Sequence, residues 1–166
     1  MFKVTKRGEA MVGDVALIFR NFAGKPGKFN REGDRNFCAI LSMEQAEAME
    51  KDGWRIKWLQ PREDGDAPKP YITVKVNYHS EWPPQIVMKT DHGQTTLDAD
   101  TVQILDYADI VYVDLVLNPY RFEPEAPITA YLSRAYITIE EDEFERKYSN
   151  VEDSARTSVE FEPIDD

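Results

Sequence analysis

Cysteine is nearly missing from this 166-residue chain, since Cys38 stands alone and no internal disulfide can form. Histidine is almost as scarce: His79 and His92 cannot complete a zinc site with that cysteine at any recognised spacing. No apolar run approaches the roughly 18 residues needed to span a bilayer. The opening Met-Phe-Lys-Val-Thr-Lys-Arg is not followed by a hydrophobic signal core. A soluble, cytoplasmic protein with no membrane contact is therefore expected. Catalytic signatures are absent as well: no GxSxG, P-loop or HExxH occurs, and no enzyme activity or cofactor is expected. Asp98 and Asp100 suit a helix start, where capping and the helix dipole favour acids. His92 falls in a turn, and the acids from Glu140 to Glu145 read as a solvated run rather than a metal site.

With 42% hydrophobic and 11% aromatic residues there is ample material for one packed core. The net charge of −11 would ordinarily argue against a nucleic-acid partner, because phosphate binding draws on a basic surface. That charge is unevenly spread. Residues 140–166 hold eleven acids and three bases, a net −8, which leaves −3 for everything before them. Residues 1–40 carry eight bases and four acids. Such polarisation suggests a nucleic-acid face with an acidic arm, the plainer alternative being an acidic terminus that aids solubility.

β-formers from Asp14 to Phe22, a Gly- and Pro-broken loop, and a second run from Arg35 to Leu41 predict a hairpin with a long basic tip. Ser42 with Gln45 forms a capping box for a short helix, with Met43, Ala46 and Met49 on one face and Gly53 at its end. Alternation predicts strands over 54–58 and 71–78; further strands are expected at 85–90, 110–117 and 128–139, with a turn at 91–93. Asp98 is expected to cap a second helix reaching about Tyr107, with Val102 and Leu105 inward. Seven strands without regular helix alternation point to a mainly β fold, an antiparallel barrel or sandwich with two short helices. Beyond Tyr148 periodicity ends, so residues 1–148 are expected to form the domain and 149–166 a flexible acidic tail.

The informative stretch runs from Arg20 to Phe37, where bases alternate with phenylalanines. Single-stranded nucleic acid needs that mixture, since cations track phosphates while ring faces stack on unpaired bases. Candidate contacts are Arg20, Lys25, Lys28, Phe29, Arg31 and Arg35, with Phe22 and Phe37 favoured as core. A second group, Trp54, Trp58, Tyr71 and Trp82, has Arg55, Lys57, Lys69 and Lys75 nearby in sequence. Tryptophans at alternate strand positions are ordinarily core anchors, which leaves Arg55, Lys57 and Lys75 as the better ligand candidates. A groove lined by both groups would suit an OB-like antiparallel β-barrel.

Arg-Asn-Phe-x-Gly-Lys (20–25), Gly-Asp-Arg-Asn-Phe-Cys (33–38), Asp-Gly-Trp-x-Ile-Lys-Trp-Leu (52–59), Leu-Asp (97–98) and Val-Asp-Leu-x-Leu-Asn-Pro-Tyr (113–120) together resemble small bacteriophage single-stranded DNA-binding proteins. The likeness spans residues 18–148. It implies an OB fold, protection of single strands during phage DNA replication or recombination, and an acidic C-terminal arm that contacts replication or recombination proteins. A phage-encoded protein of this kind would work in the host cytoplasm. One departure is plain: better-known arms end in an aromatic residue after the acids, whereas this chain ends Phe161-Glu162-Pro163-Ile164-Asp165-Asp166. The rival from another class is an acidic protein that inhibits a host nuclease or restriction system by DNA mimicry, but a mimic spreads acids over its body. A metal-dependent nuclease lacks its carboxylate constellation. Oligomeric state is left open, a homodimer among the choices.

Overall fold

Alternation in Lys69–Val76 sends Ile72, Val74 and Val76 inward and leaves Lys69 and Lys75 in solvent, the pattern of a strand with one dry and one wet face. The same logic builds most of the molecule, a computed structural model that describes residues 2–5 and 8–140. Its strands are β1 (Phe2–Val4), β2 (Ala10–Gly13), β3 (Ala16–Asn21), β4 (Arg35–Ile40), β5 (Lys57–Leu59), β6 (Lys69–Val76), β7 (Gln85–Thr90), β8 (Gly93–Leu97), β9 (Asp109–Tyr120) and β10 (Thr129–Glu140). One helix, α1 (Met43–Lys51), follows β4, and a 3-10 turn spans Val102–Asp106.

Hydrogen-bonded neighbours run β1-β2-β9-β10-β6-β4-β3, with β5 added to β6, β7 to β10 and β8 to β7. The path is not closed by a ladder. Yet β2 and β3, near its two ends, are separated only by Asp14 and Val15, so the sheet must curl back on itself around one core. Asp14 makes that corner at φ +53°, its N–H donating to the Asp114 carboxylate at 3.1 Å, while Val15 N–H reaches Val113 O at 3.2 Å. The result is barrel-like rather than a closed barrel. The expectation of antiparallel pairing also needs correction, because β10 runs parallel to both β6 and β7.

The expected hairpin forms: β3 pairs antiparallel with β4, Ala16 opposite Ile40, with an irregularity between Ile18 and Asn21. Phe22 and Phe37 are fully buried and stacked, ring centroids 4.9 Å apart, which places both in the core. α1 has the expected capping box, Ser42 and Gln45 exchanging bonds at 2.8 and 3.1 Å. Gln45 is itself buried and donates to Gly13 O at 2.8 Å, tying the helix to β2.

The expected second helix is instead the 3-10 turn. The Asp98 carboxylate accepts from the N–H groups of Asp100 and Thr101, folding a local turn that competes with helical bonding. Val102 and Leu105 still point inward and are fully buried. The strand expected at 54–58 is ordered as a ladder only from Lys57, while Trp54 is buried and bridges Ile128. Strands β1 and β2, three and four residues long, are too short to stand out in the sequence, and β8 has no apolar pattern to mark it. No helix among the described residues is long and apolar enough to cross a membrane. The expected acidic tail lies outside the described residues.

Candidate nucleic-acid interface

The loop between β3 and β4, residues 22–34, is rich in glycine, and its shape is held by asparagine amides. Asn21 accepts from Lys25 N–H at 2.9 Å and donates back to Lys25 O at 3.0 Å. Asn30 donates towards the carbonyls of Lys25, Arg31 and Asp34 at 2.8–3.0 Å and accepts from the Asn36 amide at 2.8 Å. Gly24 sits at φ +73° with the Gly33 backbone so close that a Cβ would lie 3.0 Å from it. Only glycine fits where the two arms of the loop cross.

This loop holds Phe29 at its tip, 93% exposed, with the Lys28 ammonium 5.6 Å from the ring centroid. Arg31 is exposed and pairs with Asp34 at 3.4 Å. Below them lies a cavity of about 610 Å³ lined by Phe29, Arg31, Arg35, Lys75, Tyr78, Phe122 and Tyr131. A second hollow of about 300 Å³ is lined by Arg55, Lys57, Lys75, Phe122 and the 126–130 segment. Thr73, Lys75 and Phe122 belong to both, so the two are one continuous groove. Strand register explains the junction: Lys75 on β6 faces Asn36 of β4 on one side and Tyr131 of β10 on the other. Side chains from distant parts of the sequence therefore form one outward row.

Six of the nine expected contact residues line this groove: Phe29, Arg31, Arg35, Arg55, Lys57 and Lys75. The other three do not. Arg20 donates to the carbonyls of Leu105 and Ala108 at 2.9 and 2.8 Å, clamping the 3-10 turn onto β3. Asp106 completes that clamp by accepting from Phe22 and Ala23 N–H at 2.6 and 3.1 Å. Lys25 turns to the other side of the loop and donates to the Tyr107 hydroxyl, its ammonium 5.0 Å from that ring's centroid; this bond raises the lysine's pKa. Lys28 stays on Phe29. Arg35 has two duties, since it lines the groove yet donates to Phe22 O at 2.7 Å and Ala99 O at 3.0 Å and lies over the Tyr78 ring.

The groove also contains aromatics that reading by residue pattern did not select. Phe122, 60% exposed, meets Tyr120 edge-on at 4.9 Å, and Tyr120 meets Tyr131 at 5.7 Å. The Lys75 ammonium lies 5.5 Å from the Phe122 ring centroid. The available signal was Tyr120-Arg121-Phe122, an aromatic–basic alternation within a proline-bearing connection. Five cations therefore face the groove against the single carboxylate of Asp34. Burial pushes the Tyr78 phenol up to about 12 and raises Tyr131, so both stay neutral and add no negative charge towards a polyanion. Cys38 is buried on β4, and that burial raises its thiol pKa. Among the described residues no three His, Cys, Asp or Glu side chains gather where a metal could sit.

No curated protein matches the chain in sequence. Solved structures do match in fold. The single-stranded DNA-binding protein of bacteriophage Enc34 in complex with ssDNA has a TM-score of 0.55 at 13% identity, covering 85% of this chain and 92% of that one. A second structure described as the single-stranded DNA-binding protein from bacteriophage Enc34 gives 0.52 at 13% identity, covering 85% and 86%. Its C-terminal truncation gives 0.51 at 12%, covering 85% and 91%. At such identities the likeness is one of fold, that of a mainly β domain around a single curled sheet. Family membership comes from the sequence itself, for residues 1–165 match the family model described as "Putative phage ssDNA-binding domain". A chain with this fold, and with cations and ring faces gathered along one groove, thus belongs to the phage ssDNA-binding domain family.

Proposed function

We propose that this protein covers single-stranded DNA with little regard to base sequence, in the groove centred on Lys75 and Phe122. It would do so during phage DNA replication or recombination in the host cytoplasm, without catalysis and without a cofactor. The observation that carries this reading is the meeting, in a single channel, of Phe29, Arg31 and Arg35 around the β3–β4 loop with Arg55, Lys57 and Lys75 and with the rings of Tyr78, Phe122 and Tyr131. The described Enc34 complex with ssDNA, on a similar fold, supports it. Phosphate neutralisation and ring stacking are both indifferent to sequence, and stacking requires bases that a duplex keeps hidden. A DNA mimic would present carboxylates where this groove presents cations. Contacts with replication or recombination proteins through residues 149–166 belong to the same proposal.

Titrating the full chain with labelled single-stranded and duplex oligonucleotides at two salt concentrations tests it. The expected outcome is preference for single strands, with affinity falling as salt rises. Equal affinity for duplex, or no binding at low salt, would overturn the reading.

A further inference from the structure

Beside the Lys75 groove lies another cleft of about 990 Å³, whose walls include Trp82, Gln85, Asn118, Ser133 and Arg134. The two hollows are bordered by the same two segments of chain. His79 lines the groove and Trp82 the cleft, three residues further along one loop. Tyr131 lines the groove and Ser133 the cleft, two residues further along β10. Tyr131 also lies directly opposite Asn118 of β9, a residue of the cleft, so the passage crosses the outer face of the sheet. The register of β10 slips between Leu132 and Arg134, making Ser133 the extra residue of a bulge, a device that re-aims side chains.

Trp82 is 82% exposed, an arrangement with no packing benefit to the fold. Two prolines follow it. Pro83 restricts the tryptophan backbone to extended conformations, and Pro84 is buried, so the backbone that carries the indole has little freedom left to lose. Arg134 is paired in register with Gln85 through its backbone, while its guanidinium makes no hydrogen bond or ion pair among the described residues. The one acid in the cleft, Glu9, is buried and accepts from the Ser133 hydroxyl at 2.8 Å, which keeps its charge engaged within the protein.

We propose that the single strand runs on from the Lys75 groove into this cleft, where the Trp82 indole stacks on a base and Arg134 meets a phosphate. The inference rests on the function proposed above and extends it to a longer site with a defined end. Oligothymidylates of about 4 and about 12 nucleotides distinguish the two stretches, within the range covered by one OB-type domain. In the full-length protein, Trp82→Ala should leave the short oligonucleotide's affinity unchanged. It should weaken binding of the long one by roughly 5- to 150-fold, the value of one lost stack. Trp82→Phe should recover part of that loss, and in a Trp58→Phe background, where the buried Trp54 is the one other tryptophan, it should remove the quenching of tryptophan emission that the long oligonucleotide causes. Arg134→Ala should lower the salt slope by about 0.7 on the long oligonucleotide alone. Trp82 bears no core contact, so circular dichroism should show every variant folded. If Trp82→Ala binds both lengths as the unaltered protein does, the strand does not pass Trp82 and the inference falls. If the unaltered protein binds neither length at low salt, the functional reading itself fails and this one with it.

Discussion

Lys75 and Phe122 touch at the centre of the groove, yet their loss should leave different signatures. If the strand lies in the groove as proposed, Lys75→Ala should flatten the dependence of affinity on salt by about 0.7, the value of one phosphate contact. Phe122→Ala should cost about 1–3 kcal/mol of binding with the slope unchanged, because stacking releases no counterions. The double variant should fall short of additivity, since the ammonium lies over the ring it would lose. Oligonucleotide titrations over a salt series read all three. Arg20→Ala should behave in the opposite way: two part-buried bonds from a charged group to carbonyls disappear, stability to urea should drop by about 1–3 kcal/mol, and the salt slope should stay where it was. Nothing in the sequence separates Arg20 from Arg31, for both are arginines in a basic–aromatic run. Only the fold supplies the carbonyls of Leu105 and Ala108 that occupy the first. Phe29 was legible because no strand pattern could bury it, whereas Tyr131 alternates along β10 like any core-spanning strand residue.

The turn at 98–101 links an element's stability to the groove. Asp98 accepts from the Asp100 N–H and from the hydroxyl and N–H of Thr101, and these bonds hold its pKa below the usual 3.8. A carboxyl lowered by folding contributes stability that is fully present above its unfolded value and lost as pH falls through the folded one. The turn should therefore loosen only under strongly acid conditions, below about pH 4. Ala99 O, which anchors Arg35, lies inside that turn, so the Tyr78–Arg35 stack should loosen in parallel. The amide NMR shift of Thr101 followed from pH 6 to pH 2 would show it, and in Asp98→Asn the part of that change due to this bond should be lost. Elements with strong local signals, such as the Ser42–Gln45 box and the alternation of β6, were readable without coordinates. β8 was not, because Gln94, Thr95 and Thr96 are all exposed and no apolar period marks an outlying strand. The parallel pairing of β10 was hidden for another reason: local pattern says which face is buried, and nothing about which strand lies alongside.

At the scale of the molecule the charges are set against one another, a groove with five cations on a chain whose residues 140–166 sum to −8. An acidic segment tethered to a cationic groove competes with DNA at the effective concentration the tether imposes, as any linked ligand does. Truncation after Tyr148 removes six acids and one base, and should tighten binding of single strands at low salt. Most of that advantage should vanish at high salt, where screening over a few ångströms already weakens the competitor. The folded core supplies the control. The main apolar residues removed are Val151, Val159, Phe161 and Ile164, so a stability to urea that stays unchanged would mean that they add nothing to the packing of the sheet. A marked fall would show them docked on it, and the tightening would then have to be separated from loss of structure. Neutralising charge without shortening the chain makes that separation: replacing Glu152, Glu160 and Glu162 by glutamine and Asp153 by asparagine should reproduce most of the low-salt gain and leave the unfolding curve where it was. If neither variant gains affinity at low salt, the acidic segment does not contend for the groove, and its charge acts elsewhere.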